Sequence, residues 1–228
     1  MKKLFLCLSM LGMLLTGCSK DDDNETPGLP PLPNPDDICS AMDNIEFMAF
    51  CYENFDVNKD GKVSPQEAEA VHTIKFEQGL NGSLKGIERF SNLEVLDCES
   101  YYWASGTWYY TFSFSELNLQ HNVKLKELWL HTCPNVEYIN LQNNIMLNKL
   151  SIHDCDKLQT LILPTTLGEF SMGDCEWLQN IKCYAENPPQ CSISNFSFRD
   201  CKVYVPATSL EIYKKTTTWS QFEILPLD

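Results

Sequence analysis

Apolar residues recur through the middle and C-terminal parts of the chain in one fixed order: an apolar residue, two others, an apolar residue, one other and an apolar residue. From Phe114 onward successive copies begin eleven residues apart, with a single interval of nine. In a strand the fourth and sixth residues of a copy point to the same side, which makes that side apolar. The copies are Leu93/Leu96/Cys98, Phe114/Leu117/Leu119, Leu125/Leu128/Leu130, Val136/Ile139/Leu141, Leu147/Leu150/Ile152, Leu158/Leu161/Leu163, Leu167/Phe170/Met172 and Leu178/Ile181/Cys183.

This spacing is that of the leucine-rich repeat, in which two copies make one coil. Alternate copies share a further cysteine, because Cys133, Cys155 and Cys175 each follow eight residues after a copy begins. One coil cannot bury its own apolar residues, whereas stacked coils share a continuous core. The pattern therefore predicts a mainly β fold, a short leucine-rich repeat solenoid over residues 83–200. The second copy in each coil predicts that the opposite side is also extended rather than helical.

The two ends of such a solenoid need covers, because exposed end coils would leave strand edges and apolar surface in water. Residues 37–82 are predicted to form an α-helical cap resembling an EF-hand, which is a helix, calcium loop and helix. Residues 201–228 are predicted to form a small C-terminal cap, with a strand, the short helix Leu210–Lys215 and a closing segment around Trp219.

The predicted N-terminal cap contains the sharpest chemical motif in the chain, the segment Asp56–Glu67, which reads DVNKDGKVSPQE. Calcium takes six to eight oxygen ligands, and a twelve-residue EF-hand loop supplies them at fixed positions around a glycine, here Gly61. A loop held only by its own hydrogen bonds is the alternative. The predicted calcium ligands are Asp56, Asn58, Asp60, the Lys62 carbonyl, Ser64 and Glu67.

Helical signals flank this loop on both sides. The preceding helix is predicted from an apolar spacing, and the following helix from Ser64 as its cap and Pro65 at its first position. The spacing comprises Ile45, Met48, Ala49 and Tyr52 before the loop, and Ala68, Val71 and Ile74 after it. With one loop only, the predicted calcium is structural rather than signalling.

The first residues of the chain predict export. A basic start, an apolar run from Leu4 to Leu15 and then Leu15-Thr16-Gly17-Cys18 make residues 1–17 a predicted lipoprotein signal peptide. Cys18 is the predicted lipidation site, since these four residues resemble the lipobox of bacterial lipoproteins; an ordinary signal peptide is the alternative. The acidic and proline-rich residues 18–36 are predicted to be a tether, and the run around Lys20 resembles an export signal for the outer face of the outer membrane.

The net charge bears on the class of partner, and the cysteine count bears on whether disulfide bonds stabilise the fold. A net charge of −14 argues against binding to nucleic acid, whose phosphates would be repelled. Of eleven cysteines, nine remain after Cys7 and Cys18 are set aside, and this odd number together with the repeat favours buried free thiols. Cys183, Cys191 and Cys201 lie outside the cysteine ladder and are the candidates for one disulfide bridge.

The repeat, the lead-in SLKGIERFSNLEVLDC and the ending VYVPATSLEIYKKTTTWSQFEIL resemble BspA-like leucine-rich repeat surface lipoproteins of Gram-negative anaerobes. The resemblance covers about residues 83–227, with the lipobox and a calcium helix pair as frequent companions. It implies adhesion or binding of a host or bacterial surface protein, not a reaction. It also implies a lipid anchor in the outer membrane with the protein facing the cell exterior; a monomer is expected.

Two aromatic features are candidates for the binding surface. Trp129 is predicted at an outward strand position, where a large apolar side chain often marks a contact surface. The stretch Tyr101–Phe114 interrupts the repeat and is predicted either as a platform for a glycan or protein, or as a hairpin or long loop folded over the solenoid. Its candidate contact residues are Trp103, Trp108 and Tyr109. If neither feature binds, the strands around Tyr138 and Tyr184 are the next candidate surface.

Metal-dependent and other catalytic functions have little support in the sequence. His131 and His153 share one outward repeat position, with Asp154 and Asp174 just beyond, but a metal site would need a third ligand and an exposed ladder is favoured. There is no nucleophile elbow, zinc-protease helix or phosphate-binding glycine loop. The sequence therefore predicts a non-enzymatic binding and adhesion protein with a structural calcium, or alternatively a glycan-binding lipoprotein that uses Tyr101–Tyr110.

Overall fold

The computed structural model describes residues 28–99, 101–104, 107–110, 112–194 and 201–227, and for 101–104 and 107–110 it describes the backbone alone. The predicted signal peptide, Cys18 and the first part of the tether lie outside the described residues. The chain from Leu32 onward forms one compact unit. Among the described residues, no helix has both the length and the apolar character needed to cross a bilayer.

Most of the regular structure is β-strand, with three α-helices and short 3-10 turns among the described residues. The α-helices are α1 (Ile45–Phe55), α2 (Pro65–Glu69) and α3 (Leu210–Lys215). The strands are β1 (Thr73–Lys75), β2 (Val95–Glu99), β3 (Tyr101–Ala104), β4 (Thr107–Tyr110), β5 (Glu127–His131), β6 (Tyr138–Asn140), β7 (Lys149–His153), β8 (Thr160–Leu163), β9 (Glu169–Gly173), β10 (Asn180–Cys183), β11 (Gln190–Ser194), β12 (Lys202–Val205) and β13 (Glu223–Pro226).

Two parallel sheets form the solenoid, as the repeat predicts. The first has six strands in the order β1-β2-β5-β7-β9-β11, and the second has five in the order β13-β12-β10-β8-β6. From β5 to β12, strands of the first sheet alternate in sequence with strands of the second, so this part of the chain passes from sheet to sheet as it coils. The prediction of a mainly β leucine-rich repeat solenoid is confirmed, and the second sheet is extended rather than helical, as expected.

The apolar pair of each copy faces the space between the sheets. Leu128 and Leu130 on β5 and Leu150 and Ile152 on β7 are all buried, and corresponding residues stack at each register position. One copy behaves differently: residues 115–119 form no strand, and Leu117 stays partly exposed. As a result β6 is an edge strand of the second sheet.

Two ladders of buried side chains, one of asparagines and one of cysteines, lie at the turns of the coils. Asn122 and Asn144 lie one coil apart, are fully buried and donate their amides to main-chain carbonyls, Asn144 to those of Leu119 and Asn122 at 2.9 Å each. At the end of the first sheet's strands, Thr132, Asp154 and Asp174 have left-handed backbones at φ 58°, 53° and 48°. A buried cysteine follows each of them directly, namely Cys133, Cys155 or Cys175.

The N-terminal helices differ from their prediction in two respects. Helix α1 buries Phe47 and Cys51, whereas Ile45, predicted in its apolar stripe, is 80% exposed. Helix α2 ends at Glu69, so the prediction that it continues through Ile74 is wrong. Ile74 instead lies in β1 and pairs with Leu96 in the first sheet. A β-branched residue suits that position because its partner strand buries it completely.

The C-terminal segment contains the predicted strand and short helix, and its closing segment is a 3-10 turn, Trp219–Gln221, followed by strand β13. β12 pairs with β10, and β13 pairs with β12, so both extend the second sheet. Trp219 is fully buried, stacks 6.1 Å from the Phe170 ring and donates its indole N–H to the Pro189 carbonyl. All nine described cysteines are free thiols, so the bridge predicted among Cys183, Cys191 and Cys201 is not formed.

Candidate functional site

The outward face of the six-stranded sheet is organised into rows that run across the strands. Because the strands are parallel and in register, outward residues of successive coils become neighbours. The first row contains Glu127, Lys149 and Glu169; the second contains Asp97, Trp129, Ser151 and Ser171; and the third contains Glu99, His131, His153 and Gly173.

Trp129 lies on this face as predicted, but a neighbour covers part of its ring. Its side chain is half-buried, and the Lys149 ammonium lies 4.6 Å from the ring centroid, within the range of a cation–π interaction. The His131 ring packs against it edge to face at 6.3 Å. Trp129 is therefore held in one orientation by two neighbours, which leaves its remaining exposed edge preorganised for contact.

His131 and His153 form a ladder rather than a metal centre. Their ring centroids are 4.9 Å apart. His131 Nε2 lies 2.8 Å from Ser151 Oγ, and His153 Nε2 lies 2.9 Å from Ser171 Oγ, so each histidine is bonded to the serine of the next coil. Burial, followed by the neighbouring His131, lowers the pKa of His153 and favours its neutral form. A neutral His153 can pack edge to face against His131 without charge repulsion.

The chain of contacts Ser151–His131–Glu99 resembles a nucleophile, a base and an orienting carboxylate. His131 Nδ1 lies 3.3 Å from Glu99 Oε1, on the side of the ring opposite Ser151. However, Ser151 is only 5% exposed, and its main-chain N–H belongs to the sheet ladder. The same histidine–serine bond recurs one coil later at His153 without a carboxylate partner of this kind. Both contacts are therefore best explained as a repeated structural bond of the ladder.

The aromatic stretch that interrupts the repeat contains a β-hairpin. Strands β3 and β4 pair antiparallel, with Trp103 opposite Trp108 and Tyr102 opposite Tyr109. This stretch was predicted either as a binding platform or as a hairpin or long loop folded over the solenoid. Its backbone is a hairpin, and a platform formed by its rings stays a prediction. The side chains of Trp103, Trp108 and Tyr109 lie outside the described part of the structure, so their contact role stays a prediction.

The loop Asp56–Glu67 is closed by its own polar groups. The two Asp56 carboxylate oxygens accept the main-chain N–H groups of Asp60 at 3.1 Å and Gly61 at 2.9 Å. Gly61 has φ 84°, a left-handed conformation that costs glycine little. Asn58 Oδ1 and Asp60 Oδ1 accept further loop N–H groups. The acidic side chains thus point into the loop rather than away from it.

Glu67 closes the loop across its mouth. Its Oε1 accepts the N–H of Val57 at 2.9 Å, and its Oε2 accepts both the N–H and the hydroxyl of Ser64 at 2.9 and 2.8 Å. These bonds to Ser64 are the main cause of the lowered pKa of Glu67, which favours the ionised form of this partly buried carboxylate. Ser64 in turn caps helix α2, so the sequence signal for the cap and the loop closure involve the same pair.

The donor set of this loop matches the ligand preference of calcium. Every predicted ligand is an oxygen, three of them on the carboxylates of Asp56, Asp60 and Glu67, as a hard cation requires. Within the described residues, no group of three or more His, Cys, Asp and Glu side chains is already gathered as a metal site. The loop fits calcium by its ligand chemistry and its turn, while its carboxylates are bonded to main-chain N–H groups.

Exposed Ile145 and Met146 were not predicted from the sequence, whereas Tyr138 is one of the two tyrosines named for the next candidate surface. Ile145 and Met146, 60% and 48% exposed, border a cleft of about 640 Å³ that also reaches Lys149 and Glu169 of the first row. Tyr138 is 51% exposed beside a second cleft of about 520 Å³ that it shares with Leu117. The spacing of the repeat identifies inward positions but does not show which turn residues remain uncovered. Among the turn residues, only the asparagines that recur 22 residues apart, Asn122 and Asn144, carried a signal in the sequence.

Comparison with known proteins assigns no family to the chain. No protein-family model matches the chain. No curated protein matches it either. Among solved structures it is similar to an internalin (inlF) from Listeria monocytogenes, at 15% identity, covering 88% of this chain and 75% of that one, with a TM-score of 0.29. It is also similar to an internalin C2 (inlC2) from the same organism, at 12% identity, covering 87% and 100%, with a TM-score of 0.32. Similarity at this level carries no argument on function.

Proposed function

We propose that the protein is a binding module that holds a macromolecular partner, foremost a protein, on the outward face of its six-stranded sheet. The observation that carries the proposal is the separation of roles along each strand. On β5, Leu128 and Leu130 are buried in the core, while Trp129 stays half-exposed between them. A rigid sheet can therefore present Trp129 and its neighbours at no cost to the core, and aromatic anchors of this kind dominate many protein interfaces.

The charge of this face favours a basic partner surface. The carboxylates of Asp97, Glu99, Glu127 and Glu169 outnumber Lys75 and Lys149 on the paired strands, and the whole chain carries −14. Lys75 is already engaged with Asp97 at 2.6 Å, and Lys149 with the Trp129 ring. Complementary charge mainly accelerates encounter and fixes orientation. We therefore expect association to slow as ionic strength rises.

The test compares two tryptophans in the same protein. Trp129→Ala should remove the anchor and weaken binding to an immobilised panel of host and bacterial surface proteins by about thirtyfold or more. Trp177→Ala is the matched control, because Trp177 is 59% exposed on a turn outside the sheet face. Equal loss in both variants, or none in either, rejects the sheet face as the site.

The alternative function is glycan binding by the aromatic hairpin. The pairing of Trp103 with Trp108 is the observation that favours it, because cross-strand aromatic residues can present flat faces to sugar rings. On a glycan array, this alternative expects binding that is lost in Trp103→Ala with Trp108→Ala and kept in Trp129→Ala. The opposite pattern on the protein panel supports the sheet face instead.

We also propose that Asp56, Asn58, Asp60, Ser64, Glu67 and the Lys62 carbonyl bind one structural calcium ion. When bound, the ion would supply two positive charges that offset most of the negative charge of three carboxylates. A ligand that binds only the folded state stabilises it by about 2.7 kcal/mol at a hundredfold excess over the dissociation constant. Calorimetry should show calcium binding that is lost in Glu67→Gln and kept in Glu69→Gln, an exposed residue of the same helix. No heat of binding in the unmodified protein rejects the site.

Finally, we propose that the protein is a monomeric outer-membrane lipoprotein, acylated at Cys18 and facing the cell exterior. The lipobox, the acidic run after it and the resemblance to BspA-like surface lipoproteins support this proposal. Fatty-acid labelling should disappear in Cys18→Ala, and protease added to intact cells should remove the protein. Labelling that persists in the variant rejects the anchor, and protection from protease rejects the exterior location.

A further inference from the structure

The chain just before helix α1 contacts the calcium loop through a residue that is not itself a predicted ligand. Val63 lies between the predicted ligands Lys62 and Ser64 and is fully buried. Its N–H donates to Asp37 Oδ1 at 3.2 Å, and its carbonyl accepts the Ile38 N–H at 2.9 Å. Both main-chain groups of Val63 are thus fixed by residues 37 and 38, about 25 positions earlier in the chain.

Asp37 joins three parts of the molecule through one carboxylate. Besides Val63, Oδ1 accepts the N–H of Cys39, and Oδ2 accepts the Tyr52 hydroxyl at 2.8 Å. Tyr52 belongs to α1, which leads into the loop, while Val63 lies near the loop's end. Asp37 is 7% exposed, a degree of burial that ionised carboxylates tolerate only when they are well hydrogen-bonded. The raised pKa of Tyr52, due to burial and then to this carboxylate, agrees with a tight contact.

The segment around Asp37 is itself an ordered unit. Residues 34–42, called the brace below, contain the 3-10 turn Ile38–Ala41, which Asp37 caps. The Ser40 hydroxyl donates to the Asp37 and Asn34 carbonyls at 2.6 and 3.2 Å. Ile38 and Cys39 are buried at 2% and 0% exposure, so the brace is attached by apolar packing as well as by hydrogen bonds.

We infer that Asp37 is a positioning residue for the calcium loop and that calcium binding and docking of the brace strengthen each other. The inference rests on the calcium site proposed above. Fixing Val63 fixes the main chain that carries the Lys62 carbonyl and Ser64, so an undocked brace leaves two ligand positions free to drift. Linkage requires the reverse effect too: calcium must hold the brace on the domain. Since the brace includes residues 34–36, the C-terminal end of the predicted tether, calcium would also hold that end of the tether on the domain.

The test measures calcium affinity in the full-length protein and in three variants. Asp37→Ala removes the acceptor for Val63 and Tyr52 and should weaken calcium binding by about tenfold or more, within the usual range of coupling. Tyr52→Phe removes one hydrogen bond only and should weaken binding by a few-fold at most, about the effect of one ordinary bond. Asp36→Ala is the matched control, because Asp36 is exposed and lies one residue from Asp37; its affinity should not change.

Hydrogen exchange on the unmodified protein gives an independent readout. Amides of residues 37–42 should exchange more slowly with calcium than with chelator, and this difference should vanish in Glu67→Gln. If the unmodified protein binds no calcium, the calcium site itself fails and the inference falls with it. The coupling alone is overturned if the unmodified protein binds calcium but folded Asp37→Ala binds it equally well. It is also overturned if calcium does not change the amide hydrogen exchange of residues 37–42. If Asp37→Ala does not fold, Tyr52→Phe and the exchange measurement decide.

Discussion

The Lys149 ammonium on β7 lies 4.6 Å from the centre of the Trp129 ring on β5. Partly exposed contacts of this kind contribute about 0.5–1 kcal/mol. Lys149→Ala should therefore lower the free energy of unfolding by no more than that amount, and it should make the Trp129 side chain more accessible to solvent. Urea unfolding and acrylamide quenching of tryptophan fluorescence test both expectations.

The outcome for Lys149 also shows whether the face is a surface or part of the core. Glu169→Ala is the control, because Glu169 occupies the same row one coil later without touching the ring. A loss of several kcal/mol in Lys149→Ala would mean that the ring is a packed core residue and not a contact group.

The asparagine ladder should be far more sensitive to substitution than its exposed neighbours. Asn144 donates to the carbonyls of Leu119 and Asn122, and a buried acceptor left without a donor costs about 1–3 kcal/mol. Asn144→Ala should therefore destabilise the protein by at least 2 kcal/mol, roughly the cost of two such carbonyls less local relaxation. Asn143→Ala, next to it but exposed, should change stability by less than about 0.5 kcal/mol. Equal effects in the two variants would contradict the ladder.

The histidine ladder predicts a loss of stability in mild acid. The folded-state pKa of His153 lies below its ordinary value of 6.5, so the folded protein binds fewer protons than the unfolded chain there. The stability that neutral His153 contributes is present above about pH 6.5 and is lost as the pH falls through its lowered folded pKa. Thermal melts between pH 7 and 5 should show a decline that is shallower in His153→Gln.

Charged groups around His153 shift its pKa in both directions. His131 from β5 disfavours the second positive charge, whereas Asp154, Asp174 and Glu99 favour it. The pKa of Asp154 is itself raised, first by burial and then by Asp174, so Asp154 favours folding as the pH falls toward its own titration range. His131→Gln should raise the pKa of His153. A decline with the same slope in all three proteins would contradict the assignment.

The thiol ladder should be chemically silent in the folded protein. Burial raises the pKa of Cys133 and holds that of Cys98 well above the ordinary value, and only the thiolate reacts readily. Cys191 is the least buried, with a pKa of about 12. Mass spectrometry after treatment with a thiol reagent at pH 8 should find little labelling of the described cysteines except slow reaction at Cys191. Rapid labelling at Cys155 would contradict a packed ladder.

The repeat pattern predicts inward residues well and connections poorly. Leu128, Leu150 and Phe170 occupy the same place in three coils, and any other register would expose them, so spacing alone identifies the sheet. By contrast, Ile74 fits a helical stripe as well as a strand, and only pairing with Leu96 decides between them. Local periodicity cannot distinguish these cases over so few residues.

The candidate sites also differ in how much of them the sequence predicts. The proposed calcium loop is a local motif, and its turn at Gly61 and its closure by Glu67 follow from residues close together in sequence. The contact between Asp37 and Val63 joins residues 26 positions apart and has no signal in the sequence. The covering of Trp129 by Lys149 has no such signal either. Long-range contacts of this kind depend on the packing of whole elements, which no motif encodes.

The most direct test of the binding role is one affinity comparison on the panel of immobilised surface proteins, using the unmodified protein, Trp129→Ala and Trp177→Ala. We predict that the unmodified protein binds a protein with a basic surface, that Trp129→Ala binds it about thirtyfold more weakly or worse, and that Trp177→Ala binds normally, all three being equally folded. Binding that is unchanged in Trp129→Ala, or that is seen only with glycans and lost in Trp103→Ala with Trp108→Ala, would contradict it.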